Sequence, residues 1–243
     1  MAKAEWTRQE VEAFERENER PDQEVCEHGV LVAKYVIPRF TEGELLHWKR
    51  VEQGECTKCI QQEREEQSES KEEARKEDCN SVLGIPPRFY KANPTSEYYE
   101  LFKKKKGLVF SGEVGTGKTH EAISLIKHLY IKHDVQALFE PSADLIYELR
   151  NSISKGEFEQ VITRYQTTNL LVIDDLGTET ATEFLMENLY MIINYRYNYM
   201  KPIIMTTNLN ASDFAKVYGQ RLLSRLTEMA TFVKLDGKDK RVK

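Results

Sequence analysis

The sequence predicts an α/β fold, a largely parallel sheet covered by helices, preceded by a small metal-stapled N-terminal module. Three observations predict it. From Leu83 onward, apolar runs of strand length (GLVFS, VQALFE, NLLVIDD, PIIMTT, TFVKL) alternate with segments long enough for helices, the pattern of strands buried on both faces and joined by helical crossovers. Charge divides the chain as well: residues 1–80 carry 13 Lys and Arg against 21 Asp and Glu, a balance of −8, whereas residues 81–243 carry 22 against 19, a balance of +3. Finally, three of the four cysteines fall between positions 26 and 59, too few for a disulfide framework and spaced for a metal.

Taken in order, residues 5–19 read as an exposed helix whose large apolar groups are Trp6, Val11 and Phe14, and VCEHGVLVAKYVIPRF as a β-rich stretch broken at Pro38. GELLHWKRVEQGECTKC follows. The run QQEREEQSESKEEARKEDC at 61–79 is nearly devoid of apolar residues and cannot bury a face of its own, so it reads as a solvated helix or linker. The expected division is a module at 1–60, a charged linker at 61–82 and an α/β domain at 83–243.

CEHG and CTKC bring Cys26, His28, Cys56 and Cys59 into play. Two short ligand pairs separated by a loop build a tetrahedral zinc site at low entropic cost, and four protein ligands leave no open position, which makes the metal structural. A module of this size with few apolar side chains needs such a staple. Cys79 is an alternative to His28, but it lies beyond the charged run; His47, beside Trp48, reads as a core or surface histidine.

GEVGTGKT at 112–119 satisfies the phosphate-loop pattern between a strand (LVF) and a helix that carries Ile123, Ile126 and Leu129 at helical spacing. Gly112, Glu113, Val114, Gly115, Thr116, Gly117 and Lys118, with Thr119 and His120 after them, form the expected ATP-binding stretch. Glycines let backbone N–H groups turn toward phosphates, the helix N-terminus favours negative charge, Lys118 reaches the β and γ phosphates and Thr119 ligates Mg²⁺. LLVIDDLG supplies the second half: an apolar strand ending in Asp174, a Mg²⁺ holder, and Asp175, which orients or deprotonates the attacking water. A strand candidate, VQALFE, lies between the two motif strands and is expected to be inserted between them, as is typical of the ATPase branch that uses a catalytic acid. PIIMTTN ends in Asn208, expected near the γ-phosphate or the attacking water. In GQRLLSRLTEM, Arg221 and Arg225 share one helix face.

SGEVGTGKTH, LLVIDDLG, IINYRY, TTN, RLLSRL and the closing LDGKDKR together resemble the helicase-loader family of AAA+ ATPases, the DnaC and IstB type, over residues 83–243. GIPPRFY at 84–90 is similar to that family's adenine-side segment. The resemblance implies Walker A at 112–119, Walker B at Asp174 and Asp175, and a sensor at Asn208. It also implies an arginine finger for a neighbouring subunit, Arg225 with Arg221 as alternate, and a second sensor at Arg241. Hydrolysis is then weak in an isolated subunit and dependent on a homo-oligomer. The implied partners are a hexameric replicative helicase of the DnaB type, gripped through the acidic N-terminal module, and single-stranded DNA.

Other expectations are negative or open. No run of about 18 apolar residues exists and the N-terminus is too charged for a signal peptide, so a soluble cytoplasmic protein with no membrane partner is expected. A net charge of −5 argues against bulk attraction to nucleic acid. Arg150, Lys155 and Arg164, or Arg196 and Tyr197, are candidate DNA contacts, without the dense aromatic and basic interleaving of a nucleic-acid groove; KKKK at 103–106 reads as a solvated loop. Alternatives to a loader are a transposition helper ATPase of the IstB type and a stand-alone P-loop kinase.

Overall fold

The computed structural model describes residues 4–5, 7–17, 24–28, 30–36, 40–41, 49–52, 56–95, 97–105, 107–177 and 181–237. Trp6, His47, Trp48 and Arg241 lie outside them. The chain forms two compact units, Met1–Lys71 and Glu72–Lys243.

In the first unit, β1 (Ala4–Glu5) leads to α1 (Arg8–Glu17), β2 (Glu24–Val25), β3 (Leu31–Val36), β4 (Phe40–Thr41), β5 (Lys49–Glu52) and the start of α2 (Thr57–Val82). TRQE opens α1 as a capping box: the Glu10 N–H donates to Thr7 Oγ1 at 3.3 Å, and the Thr7 N–H donates back to Glu10 at 2.8 Å. β2, β3 and β5 form an antiparallel sheet with β3 in the middle, and β1 pairs with β4.

In the second unit a 3₁₀ turn (Pro87–Phe89) precedes α3 (Tyr99–Lys105), β6 (Gly107–Ser111), α4 (Lys118–His133), β7 (Ala137–Pro141), α5 (Ser142–Lys155), α6 (Phe158–Thr167), β8 (Leu170–Leu176), α7 (Glu183–Asn198), β9 (Ile203–Thr207), α8 (Ala211–Tyr218), α9 (Gln220–Met229) and β10 (Thr231–Lys234). Lys103–Lys105 therefore end α3 and are helical, not loop.

The charged run from 61 is continuous helix, supported early by Gln61–Glu65 and Gln62–Glu66 contacts one turn apart. Its last turns pack on α4. Glu72 pairs with Lys132 at 2.6 Å, Asp78 accepts from the Tyr130 hydroxyl at 3.0 Å, and Cys79 is buried beside Leu83 and Ile85. The sequence hides this because the anchoring partners lie some 50–60 positions away on another helix.

The main sheet runs β10-β6-β9-β8-β7 with every pair parallel. Contrary to the expectation for VQALFE, the strand inserted between the phosphate-loop strand β6 and the acidic strand β8 is β9, from PIIMTT, while VQALFE forms the edge strand β7. Alternate side chains enter two cores: Leu108, Phe110, Leu170, Val172 and Ile204 face α4, whereas Val109, Leu171, Ile173, Ile203 and Met205 face the layer of α5 to α9. Burial on both faces explains why these strands read as unbroken apolar runs. All five strands point their C-terminal ends the same way, which gathers the loops after β6, β8 and β9 at one edge. Among the described residues, no helix is long and apolar enough to cross a membrane.

Candidate nucleotide site and cysteine–histidine cluster

The loop after β6 is shaped by its glycines. A Cβ on Gly112 would lie 2.3 Å from the Leu235 carbonyl oxygen, and Gly117, with φ 99°, turns the chain into α4. Among the described residues no side chain caps α4, and a helix N-terminus favours an anion. The buried Lys118 ammonium bridges the loop, donating to the carbonyls of Gly112 and Glu113 at 2.9 Å each. A cavity of about 620 Å³ opens here, lined by Val114, Gly115, Gly117, Lys118, Thr119, His120, Glu121, Asp174 and Asp175, with Arg88 and Phe89 from the 3₁₀ turn. A helix N-terminus, a buried lysine and an aromatic–arginine pair together fit a nucleoside triphosphate.

Asp174 is 8% exposed. Its Oδ2 accepts from Thr119 Oγ1 at 3.2 Å and its Oδ1 from Thr206 Oγ1 at 2.6 Å. Burial raises its pKa; the two hydroxyls only partly offset that. A buried carboxylate beside a threonine hydroxyl fits a hard divalent cation, which would supply the missing positive charge. The next residue behaves differently. Asp175 is exposed and holds φ 57°, a left-handed conformation costly for a side-chain-bearing residue. The β8–β9 pairing shifts register between Ile173 and Leu176, and this bulge turns adjacent acids to different surroundings. The Asp175 N–H donates to Thr206 Oγ1 at 2.8 Å and its carbonyl accepts from Ser142 Oγ at 3.1 Å.

Asn208 follows β9 but borders a neighbouring cavity, with the loop residues Gly112, Glu113 and Thr116. Its Oδ1 is buried without a hydrogen-bond partner among the described residues. Arg221 is exposed on α9. Arg225, half-buried one turn later, lies against α7: its Nε donates to Asn194 Oδ1 at 2.7 Å and its guanidinium sits over Tyr190 at 4.9 Å and Tyr197 at 5.8 Å.

The DNA candidates separate sharply. Arg196 is fully buried and donates to the carbonyls of Tyr165, Gln166, Thr168 and Pro202; burial lowers its pKa to about 10, so it stays charged as an internal clamp, out of reach of DNA. Arg164 is paired with Glu148 and Tyr165, and the Tyr197 hydroxyl with Glu228. Arg150 stacks over Phe184 at 5.6 Å, and Lys155 is exposed at the end of α5.

In the first unit, one ligand atom from each of Cys26, His28, Cys56 and Cys59 lies within 4.8 Å of the others, and His28 Nδ1 is 3.3 Å from Cys59 Sγ. A tetrahedron with bonds of about 2.0–2.3 Å has edges of about 3.3–3.8 Å, so small movements would close this set on zinc. Desolvation and then the Cys26 and Cys56 sulfurs push the Cys59 thiol up to about 12. Despite desolvation, backbone N–H groups of Val30 and His28 and then the other two thiols lower Cys26 to about 7. Crowded sulfurs beside an imidazole fit a dication such as zinc. Cys79 is buried in the second unit's core.

Sequence reasoning missed three contributors: Thr206, which links both acids; Ser142, which holds the Asp175 carbonyl; and Lys127, buried on α4. TTN offered a signal for the first, since two hydroxyls at the end of a buried apolar strand need partners.

Comparison with known proteins bears on the family and the fold. The family model described as IstB-like ATP binding protein matches residues 80–243. The replicative helicase loader DnaC of Escherichia coli K12 is 28% identical over 133 residues, 54% of this chain and 54% of that protein. A protein of insertion sequence IS5376 from Geobacillus stearothermophilus is 28% identical over 121 residues, 50% of this chain and 47% of that protein. The crystal structure of the DnaC helicase loader superposes with a TM-score of 0.57 at 27% identity, covering 62% of this chain and 100% of that one. The fold is that of these AAA+ ATPase domains. The chain spans about half the length of the curated relatives it matches.

Proposed function

The chain belongs to the IstB-like ATP-binding protein family, and we propose that it is a cytoplasmic ATPase that grips a hexameric replicative helicase through its N-terminal unit and delivers it onto single-stranded DNA. The observation that supports the ATPase reading is the difference in surroundings between the two acids of β8. Asp174, buried and bonded to Thr119, would hold Mg²⁺; that ion would neutralise phosphate charge. Asp175, exposed and turned outward by the bulge, would accept the proton of the attacking water. Lys118 and the N–H groups of the loop bind the phosphates, and Asn208, which borders the adjoining cavity with the loop residues Gly112, Glu113 and Thr116, would orient groups near the γ-phosphate.

Hydrolysis depends on assembly. Arg225 is the finger offered to a neighbouring subunit: Asn194 and Tyr190 already restrict its guanidinium, so little rotamer entropy remains to be lost when it meets the neighbour's phosphate. Arg221 is the alternate. Arg150 and Lys155, both exposed and in no ion pair among the described residues, are the stronger of the DNA candidates. Cys26, His28, Cys56 and Cys59 would hold a structural zinc that gives the small acidic unit a fixed surface.

Support for the helicase cargo comes from the loader-named relative together with this acidic, cysteine-stapled unit. The insertion-sequence relative favours a second reading, a transposition helper acting with a transposase. Co-purification of the full chain with ATP separates them: stable retention of a hexameric replicative helicase is expected, and retention of a transposase without the helicase would sink the loader reading.

A further inference from the structure

Nine residues beyond Lys118 on the same helix, Lys127 is 2% exposed, and its ammonium donates to three backbone carbonyls: Phe89 at 3.2 Å, Tyr90 at 2.8 Å and Ala92 at 3.1 Å. A buried ammonium is costly unless each proton finds an acceptor, and here the three acceptors all belong to the segment that closes the 3₁₀ turn. A second tie runs from the Thr95 N–H to the Ser124 carbonyl at 3.3 Å. The side chains beneath, Ile85 and Ala92, are buried in the α4-side core. The turn carries the exposed Arg88 and the half-buried Phe89, which packs against the same core; the guanidinium carbon lies 5.7 Å from the ring centroid, and both residues line the cavity at the phosphate loop.

We propose that Lys127 is a positioning residue of the nucleotide site: it fixes the Arg88–Phe89 turn to the helix that begins at Lys118, so that one rigid element sets both the phosphate contacts and the aromatic–guanidinium pair that meets the base. This rests on the site binding a nucleoside triphosphate. Lys127 itself touches no ligand; it acts through the backbone of residues 89–92, at a point where sequence alone shows only a lysine in a helix.

The test compares two probes, ATP and inorganic tripolyphosphate, which shares the phosphates and lacks the base. Lys127→Met is expected to weaken ATP binding about tenfold while leaving tripolyphosphate within about twofold, because stacking and cation–π contacts to the base are of that size. Lys127→Arg, which keeps the donors, restores ATP affinity. An equal loss for both probes, or no loss for either, overturns the proposal. Phe89→Ala keeps the carbonyls that Lys127 grips and does not depend on the folding of the Lys127 variant; it is expected to lose the same base-dependent share, and wild-type ATP affinity in that variant also overturns the proposal. Failure of the underlying reading looks different: the unmodified chain would bind neither probe, or Lys118→Ala would bind both as well as the unmodified chain does.

Discussion

Thr206 and Asp174 are joined by a 2.6 Å hydrogen bond from the threonine hydroxyl to the buried carboxylate, and the same oxygen accepts the N–H of Asp175 at 2.8 Å. One side chain on β9 therefore orients the buried acid and pins the backbone of the exposed one. Thr206→Val keeps the shape and removes both bonds. At about 1–3 kcal/mol for a buried polar group left unpaired, hydrolysis should fall about 5- to 160-fold with a smaller change in ATP KM. Thr206→Ser should recover most of the rate. A steady-state ATPase assay decides; wild-type turnover in Thr206→Val would remove the assigned role.

Asp175→Asn should leave ATP affinity within about threefold and slow hydrolysis by about 10²–10⁴, the usual share of a general base. Direct binding and single-turnover measurements separate the two effects. Abolished binding would instead exchange the roles of Asp174 and Asp175.

Asp174 carries a pH signature. Desolvation raises its pKa above the ordinary 3.8, so the unfolded chain gives up this proton at lower pH than the folded one. As pH climbs from about the ordinary value through the raised one, the folded protein without nucleotide or Mg²⁺ loses stability through this group. Asp174→Asn, which cannot ionise, should be more stable than the parent by an amount that grows over that window and is constant above it. Thermal melts of the two proteins across pH test this, and a difference independent of pH would count against it.

Purified protein should contain one zinc per chain, and a strong chelator should release it, lower the melting temperature of the first unit and expose three additional reactive thiols. Cys56→Ser should purify with less metal. The second unit should be unaffected, because Cys79 lies in its core and outside the cluster. Metal analysis combined with thiol titration gives the answer, and metal-free protein with three reactive thiols before chelation would exclude the staple.

Arg225→Ala should have two effects, since its guanidinium contacts Asn194 and Tyr190 in its own subunit. Stability should drop by about 0.5–1 kcal/mol from the lost cation–π contact, and the assembly-dependent increment in ATPase rate, about 10³–10⁵ for such fingers, should vanish. Arg221→Ala should preserve both. Turnover per subunit measured across a dilution series distinguishes the arginines, and loss of the increment only in Arg221→Ala would reassign the finger.

The sequence by itself determined the α/β class, the phosphate loop and the acidic strand end, because each depends on local rules: strands buried on two faces must be apolar along their length, and Gly112, Gly117 and Lys118 satisfy turn geometry and phosphate chemistry within a few residues. It also determined the four-ligand pattern of the first unit, since the two pairs are short in the chain. Only tertiary structure decided which polar residues are spent internally. Arg196 and Arg164, attractive as DNA contacts in the sequence, are used by carbonyls and by Glu148, and β9 rather than β7 stands between the two motif strands. Thr206 and Lys127 acquire their roles from partners 32 and 35–38 positions away. Burial demands that a polar group find a partner, and which partner it finds is settled by the folded neighbourhood.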